Sequence, residues 1–245
     1  MKKWIVILFA MLPSLAMAAG ANVPLDKANN DLSDQASLQN GAKLFMNYCF
    51  ACHSAQYQRY ERVGRDIGIP VDLLKENLIF DPEAKVGDLM ENAIPEKSAA
   101  KWFGAPPPDL TLVARVRGTD WLYTYLRSFY EDPSRPFGVN NIVFPSVGMP
   151  HVLEELQGIP KPIYETHVVD GKEVQKVVGV EADGTGELNS EEYDNAVRDL
   201  VNFLEYSGDP VKLERHALGW WVMGFLVIFT IVVVLLKKEY WRDVH

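Results

Sequence analysis

The sequence predicts a mainly α protein: a helical exported domain with loop insertions and one small β-hairpin, followed by a single C-terminal transmembrane helix. Three observations carry this reading. Apolar residues recur three or four apart in segments that open near Ser33, Pro70, Asp109, Thr119 and Ser190, as one face of a helix requires. Ile163–Val169 and Lys172–Val180 read as two strands, and Asp170-Gly171 between them suits a type I′ turn. Ala217 to Leu236 carries no charge and, at 1.5 Å per residue, covers about 30 Å, the thickness of a bilayer's hydrocarbon core.

The two ends set the topology. Lys2 and Lys3, the apolar run Trp4–Leu15 and Ala16-Met17-Ala18 form a signal peptide over residues 1–18, with mature protein from Ala19. A buried core helix is the competing reading of 217–236, but such helices rarely lack a polar face. Trp220, Trp221, Tyr240 and Trp241 sit where interfacial aromatics belong, and Lys237, Lys238 and Arg242 hold the tail 237–245 inside. Residues 19–210 are therefore expected as one periplasmic domain on the inner membrane. Its about 200 residues suffice for one substantial core. The net charge is −9 for the whole chain, and the exported part is more acidic, because the ends hold mostly basic residues. That balance excludes nucleic acid as a partner and favours a basic protein.

Along the chain, 19–33 is a polar arm. Leu38, Ala42, Phe45 and Tyr48 mark a first helix. Pro70 suits the first position of a helix through Phe80. Pro106, Pro107 and Pro108 cannot be helix interior and form a rigid extended wall. Helices are expected over Asp109–Val116 and Thr119–Tyr130, the second with Thr119 as cap and Trp121, Leu122, Tyr125, Leu126 and Phe129 on its apolar side. A proline-rich loop over 131–162 follows. The last soluble helix, Ser190–Tyr206, aligns Tyr193, Val197, Leu200 and Leu204. Glu181–Glu192 imitates a calcium loop, but its first position is Glu and a hairpin precedes it. A capping box made by Asn189 and Glu192 is the better reading.

The chemistry lies in Cys49-Phe-Ala-Cys52-His53. This C-x-x-C-H spacing lets two thiols bond covalently to a haem while the adjacent imidazole ligates the iron. The motif holds the only two cysteines. A redox dithiol would want a strand before it and a long helix after it, and neither pattern is present. For the second axial position, Met46 lies on the same helix, too near to reach the opposite face. Met223 is in the span, His216 and His245 flank it, and His167 is on a strand. Met90 falls on an expected helix, where a core methionine is the ordinary case. Met149 fits best, on a loop stiffened by Pro150, with His151 as runner-up. Arg115 and Arg117 are candidates for the haem propionates.

These residues together resemble the cytochrome c1 family, the haem subunit of quinol–cytochrome c reductase. The matching pieces are Gly41 to Phe45, Cys49 to Ser54 with Tyr57, Arg59 and Tyr60, Ala105 to Leu110, Ala114 to Gly118, Gly148-Met149-Pro150 and the C-terminal anchor. Gly41, one turn before Phe45, also resembles the first helix of class I cytochromes c, where a small residue lets the terminal helix cross closely. The resemblance implies a class I cytochrome c-like domain with one covalent haem c, outside the cytoplasm, which agrees with the leader. It implies Cys49 and Cys52 as thioether attachments, His53 and Met149 as axial ligands, Arg117 as propionate partner with Trp121 nearby, and Pro107 and Pro108 along the haem edge. The loop between Tyr130 and Met149 is shorter than in the mitochondrial form, and Trp121 stands where Tyr is expected; the compact acidic form looks bacterial.

The expected function is one-electron transfer from a Rieske iron–sulfur protein to a cytochrome c, beside cytochrome b and in membrane lipid. The chain is not expected to be an enzyme alone. Another membrane-tethered monohaem carrier, or a haem-based sensor, is the alternative. A haem enzyme would need an open distal site, and a sensor a signalling module after the span.

Overall fold

The computed structural model describes residues 23–169 and 172–244. The leader 1–18, the Asp170-Gly171 turn and His245 lie outside the described residues. The chain divides into two compact units. One joins Asn29–Thr119 to the segment from Asp194 onward, and the other joins Asp120–Tyr193 to the stretch ending at Ala28.

In the first unit, α1 (Gln35–Leu44) starts where the Asp34 carboxylate accepts from the Ser37 backbone N–H at 3.1 Å. Its stripe Leu38, Ala42 and Phe45 is buried, as its spacing requires. The helix then widens into a π-helical turn over Phe45–Cys49, in which the Phe50 N–H reaches the Phe45 carbonyl at 2.9 Å. β1 (Ala55–Arg59), α2 (Tyr60–Asp66) and α3 (Val71–Asn77) follow. Pro70 caps α3 from outside with an extended ψ of 148°, not from the first helical position. β2 (Leu89–Met90) pairs antiparallel with β1. Met90 is thus on a strand, not a helix, and it is buried as a core residue. So short a pairing leaves no periodicity in the sequence. α4 (Glu96–Phe103) ends at Gly104, whose φ of 81° is the left-handed stop that glycine adopts without strain. α5 covers only Val113–Arg117, because Asp109 is engaged on backbone N–H groups and Leu110–Leu112 turn before the helix forms.

In the second unit, α6 (Thr119–Arg127) stops before Phe129, which enters β3 (Phe129–Glu131) opposite β4 (Val139–Asn141). The expected helix to Tyr130 is cut short because Phe129 and Tyr130 pair with Asn141 and Asn140. The arm before α6 is tied down. The Asp26 N–H donates to Thr124 Oγ1 at 2.9 Å, and the Ala28 N–H to Asp120 Oδ1 at 3.0 Å. After α7 (Glu154–Gln157), the hairpin β5 (Lys161–Val169) and β6 (Lys172–Glu181) forms as expected, with Val178 bulged between the pairs Ile163–Gly179 and Tyr164–Val177.

The long helix α8 (Ser190–Gly208) begins with the capping box. Asn189 Oδ1 accepts from the Glu191 and Glu192 N–H groups, each at 3.0 Å, and Glu192 Oε2 accepts from the Asn189 N–H at 3.0 Å. From Asp194 onward α8 belongs to the first unit, where Val197, Leu200 and Leu204 are buried. There it crosses α1 at backbone contact. A Cβ on Gly41 would collide with the Asp199 carbonyl and stand 2.7 Å from Phe203 Cβ. The Phe45 and Phe203 rings meet at the same crossing, 5.5 Å apart and tilted by 44°. Each is fully buried, worth about 1.5–3 kcal/mol. α9 (Lys212–Tyr240) is 29 residues, about 44 Å long. None of its apolar stretch is buried, which removes the core-helix reading; it is long and apolar enough to cross a membrane.

Candidate haem site

The thiol–imidazole half is built from local backbone. The π-helical turn ends at Cys49, whose carbonyl accepts from the Cys52 N–H at 3.0 Å and the His53 N–H at 2.9 Å. Two thiols and an imidazole are thereby drawn into one tight turn. Cys49 and Cys52 are not joined to each other in a disulfide. Burial, with Cys52 beside it, pushes the Cys49 thiol up to about 12. His53 Nδ1 lies 2.7 Å from the Pro108 carbonyl oxygen. A carbonyl can only accept, so Nδ1 carries the proton and Nε2 keeps the lone pair. Burial lowers the His53 pKa and favours the neutral ring, against that bond and the Asp109 charge. An imidazole with its tautomer fixed, beside two thiols in one turn, is the donor set a covalent haem requires.

Pro108 is itself held. The Asp109 carboxylate accepts from the Gln56 N–H at 2.8 Å and from the Thr111 N–H at 2.9 Å. The Leu110 N–H donates to the Ser54 carbonyl at 2.9 Å, and the Asn92 N–H to Ser54 Oγ at 3.0 Å. The segment after the motif and the proline wall are thus lashed together on both sides of the His53–Pro108 bond. Pro107 is half-buried in the same wall, and Arg117 ends α5, exposed.

Met149 belongs to the other unit and is half-buried in the loop after β4. Tyr125 Oη donates to Met149 Sδ at 3.4 Å. Burial raises the Tyr125 pKa, so the phenol stays protonated and able to donate. Trp121 stacks on Tyr125, with ring centroids 4.9 Å apart and planes at 10°, and meets Phe144 edge-on at 6.5 Å. Trp121 therefore packs on the ring that bonds Met149. Tyr125 continues edge-on to Phe129 at 5.2 Å, and Phe129 stacks on His151 at 4.9 Å. Burial lowers the His151 pKa to about 4, against the opposing pull of acceptor oxygens on Gln157 and the Gly158 backbone. That buried, neutral ring is locked into the aromatic row. Met46 and Met90 are core residues, each 2% exposed, and Met223 lies on the exposed face of α9.

Reasoning from sequence missed Asp109 and Tyr125. Asp109 could have been found, since an Asp directly after three prolines is placed to bind backbone N–H groups two residues on. Tyr125 could have been found only as the residue one helical turn after Trp121; its bond to Met149 is a tertiary fact.

A sequence model described as the Cytochrome C1 family matches residues 27–244. The chain is 52% identical to cytochrome c1 of Allochromatium vinosum over the whole of both proteins. It is 45% identical to a protein of Nitrosomonas europaea named ammonia monooxygenase gamma subunit, over 100% of this chain and 99% of that protein. Identity to cytochrome c1 of Blastochloris viridis is 28%, covering 86% of this chain and 82% of the relative. With the donor set above, these matches establish that the chain belongs to the cytochrome c1 family, haem electron-carrier subunits of the cytochrome bc1 complex with one covalently bound haem c each.

Proposed function

We propose that this chain takes one electron from a Rieske iron–sulfur protein and passes it to a cytochrome c. The observation that carries the reading is the His53–Pro108 bond, which commits one imidazole nitrogen to the protein and leaves the other as a ligand. Cys49 and Cys52 would hold the haem covalently. His53 and Met149 would be its axial ligands, Arg117 would meet a propionate, and Pro107, Pro108 and Trp121 would border it. When bound, the haem supplies a reversible one-electron ferrous–ferric couple. With His53 and Met149 both holding the iron, no position would remain for a substrate, so the chain would carry electrons and not act as an enzyme alone.

The arrangement in the membrane follows from the ends. Residues 1–18 would direct export, 19–210 would form the periplasmic haem domain, 217–236 would span the inner membrane of a bacterium and 237–245 would remain inside. Cytochrome b and the Rieske protein are the proposed neighbours, and the acidic exported surface suits a basic cytochrome c.

The test uses membranes carrying the full chain. A Cys49→Ala, Cys52→Ala double variant should lose covalent haem from the band of this chain on a denaturing gel, and quinol-driven reduction of cytochrome c should fall at least a hundredfold. Reduction at the normal rate without that haem would refute the proposed path.

A further inference from the structure

The loop that carries Met149 has neither helix nor ladder to hold it. From Ile142 to Pro150 no residue belongs to a helix or strand. Ser146 within it has a φ of 63°, a left-handed conformation that costs a non-glycine residue about 1–3 kcal/mol. Something outside the loop must impose that shape.

Two adjacent side chains on β4 do so. Asn141 is fully buried. Its Nδ2 donates to the Tyr125 carbonyl at 2.8 Å. Its Oδ1 accepts from the Val143 N–H at 2.9 Å, from the Phe144 N–H at 3.1 Å and from Ser128 Oγ at 3.3 Å. Asn140 Oδ1 accepts from the Ser146 N–H at 2.8 Å, and Arg135 Nη2 donates to the Ser146 carbonyl at 3.0 Å. These bonds fix both peptide groups of the strained residue. Asn141 thus joins the backbone of Tyr125 to the start of the loop, while the phenol of Tyr125 reaches Met149 at its end. A buried amide with both ends satisfied is costly to lose, since its partners are left without bonds.

We propose that Asn141 is the positioning residue that sets where the Met149 thioether sits relative to the Tyr125 phenol and so holds the sulfur in place for iron, with Asn140 securing the strained turn between them. The proposal rests on reading Met149 as the axial ligand. Asn141 would act through the backbone of Tyr125, Val143 and Phe144 and not as a ligand itself. Loosening it should populate a state in which the thioether has left the iron and the sixth position is open.

The experiment uses the full chain in its membrane complex and reads three quantities: haem content, the weak far-red band of methionine-ligated ferric haem, and the fraction of ferrous haem that binds carbon monoxide. Asn141→Ala should keep its haem, because Cys49 and Cys52 hold it, yet lose at least half of the far-red band. Its carbon monoxide-reactive fraction should rise at least tenfold, which corresponds to about 1.4 kcal/mol in the closing equilibrium. Leu200→Ala, a truncation in the other unit's core, should lower the thermal midpoint without raising that fraction. An equal rise in Leu200→Ala, or an unchanged band and fraction in Asn141→Ala, overturns the proposal. Should Asn141→Ala fail to accumulate, Asn140→Ala decides by the same criteria. Met149→Leu separates the two readings. If it keeps the band and excludes carbon monoxide, the ligand assignment is wrong; if it loses the band while both asparagine variants behave as wild type, only the positioning role is wrong.

Discussion

The turn that bears His53 and the loop that bears Met149 solve the same problem by opposite means. The His53 side is local. Three backbone hydrogen bonds inside a nine-residue stretch, Phe45–His53, shape it, and one carbonyl fixes the imidazole. The Met149 side is assembled from afar. Side chains of Tyr125, Arg135, Asn140 and Asn141 hold a loop with no ladder of its own and one strained residue. The difference teaches where failure should begin: loosening the protein should open the Met149 side long before it disturbs the side carrying His53.

The strongest challenge to that contrast is Gly41→Val, which attacks the His53 side through its scaffold. The new side chain collides with the Asp199 carbonyl, so α1 and α8 must separate. Overpacking of this kind costs about 3 kcal/mol, and the thermal midpoint should fall by roughly 6–12 °C. Normal stability in calorimetry would show the crossing to be looser than described. Asp109→Ala should come next. It removes two backbone hydrogen bonds to a carboxylate and frees the Pro108 segment, at about 2 kcal/mol in chemical unfolding. Asp109→Asn, which still accepts, should recover part of the loss; an Asn variant as weak as Ala would contradict the acceptor role.

Tyr125→Phe should have the smallest effect. A phenol bonding the sulfur favours the electron-rich ferrous state, so its removal should lower the midpoint potential by less than about 59 mV, a factor of ten in the equilibrium. A rise in potential would reverse that argument.

The same contrast explains what could be read from the sequence. C-x-x-C-H, the stripe Leu38, Ala42 and Phe45, the capping box of Asn189 and Glu192, and the apolar stretch of α9 are all local patterns, whereas the close crossing at Gly41 was legible only through the family resemblance. β1, β2, β3 and β4 are strands of two to five residues whose paired residues lie 8 to 35 positions apart, too short to show a period, and Phe129 passed for helix because it continued the spacing of α6. Met90 passed for helix for a similar reason. Asn141 was invisible because a buried asparagine reads as a loop residue until its four partners are known. Gly148 and Pro150 singled out Met149 as a candidate in the sequence; the hydrogen bonds that hold its loop left no such mark.

The most direct test of the account is a paired substitution, Met149→Leu and Met90→Leu, each in the full chain in its native membrane. Removing a soft thioether from iron destabilises the ferrous state and lowers the potential. Met149→Leu should keep its covalent haem, lose the far-red band, bind carbon monoxide when reduced and drop below the potential at which a Rieske centre can reduce it. Met90→Leu should alter stability alone, since Met90 is a buried core residue paired with Ala55 across β1 and β2. The reverse outcome, with the spectrum intact in Met149→Leu and lost in Met90→Leu, would contradict the ligand assignment and the one-electron carrier built on it.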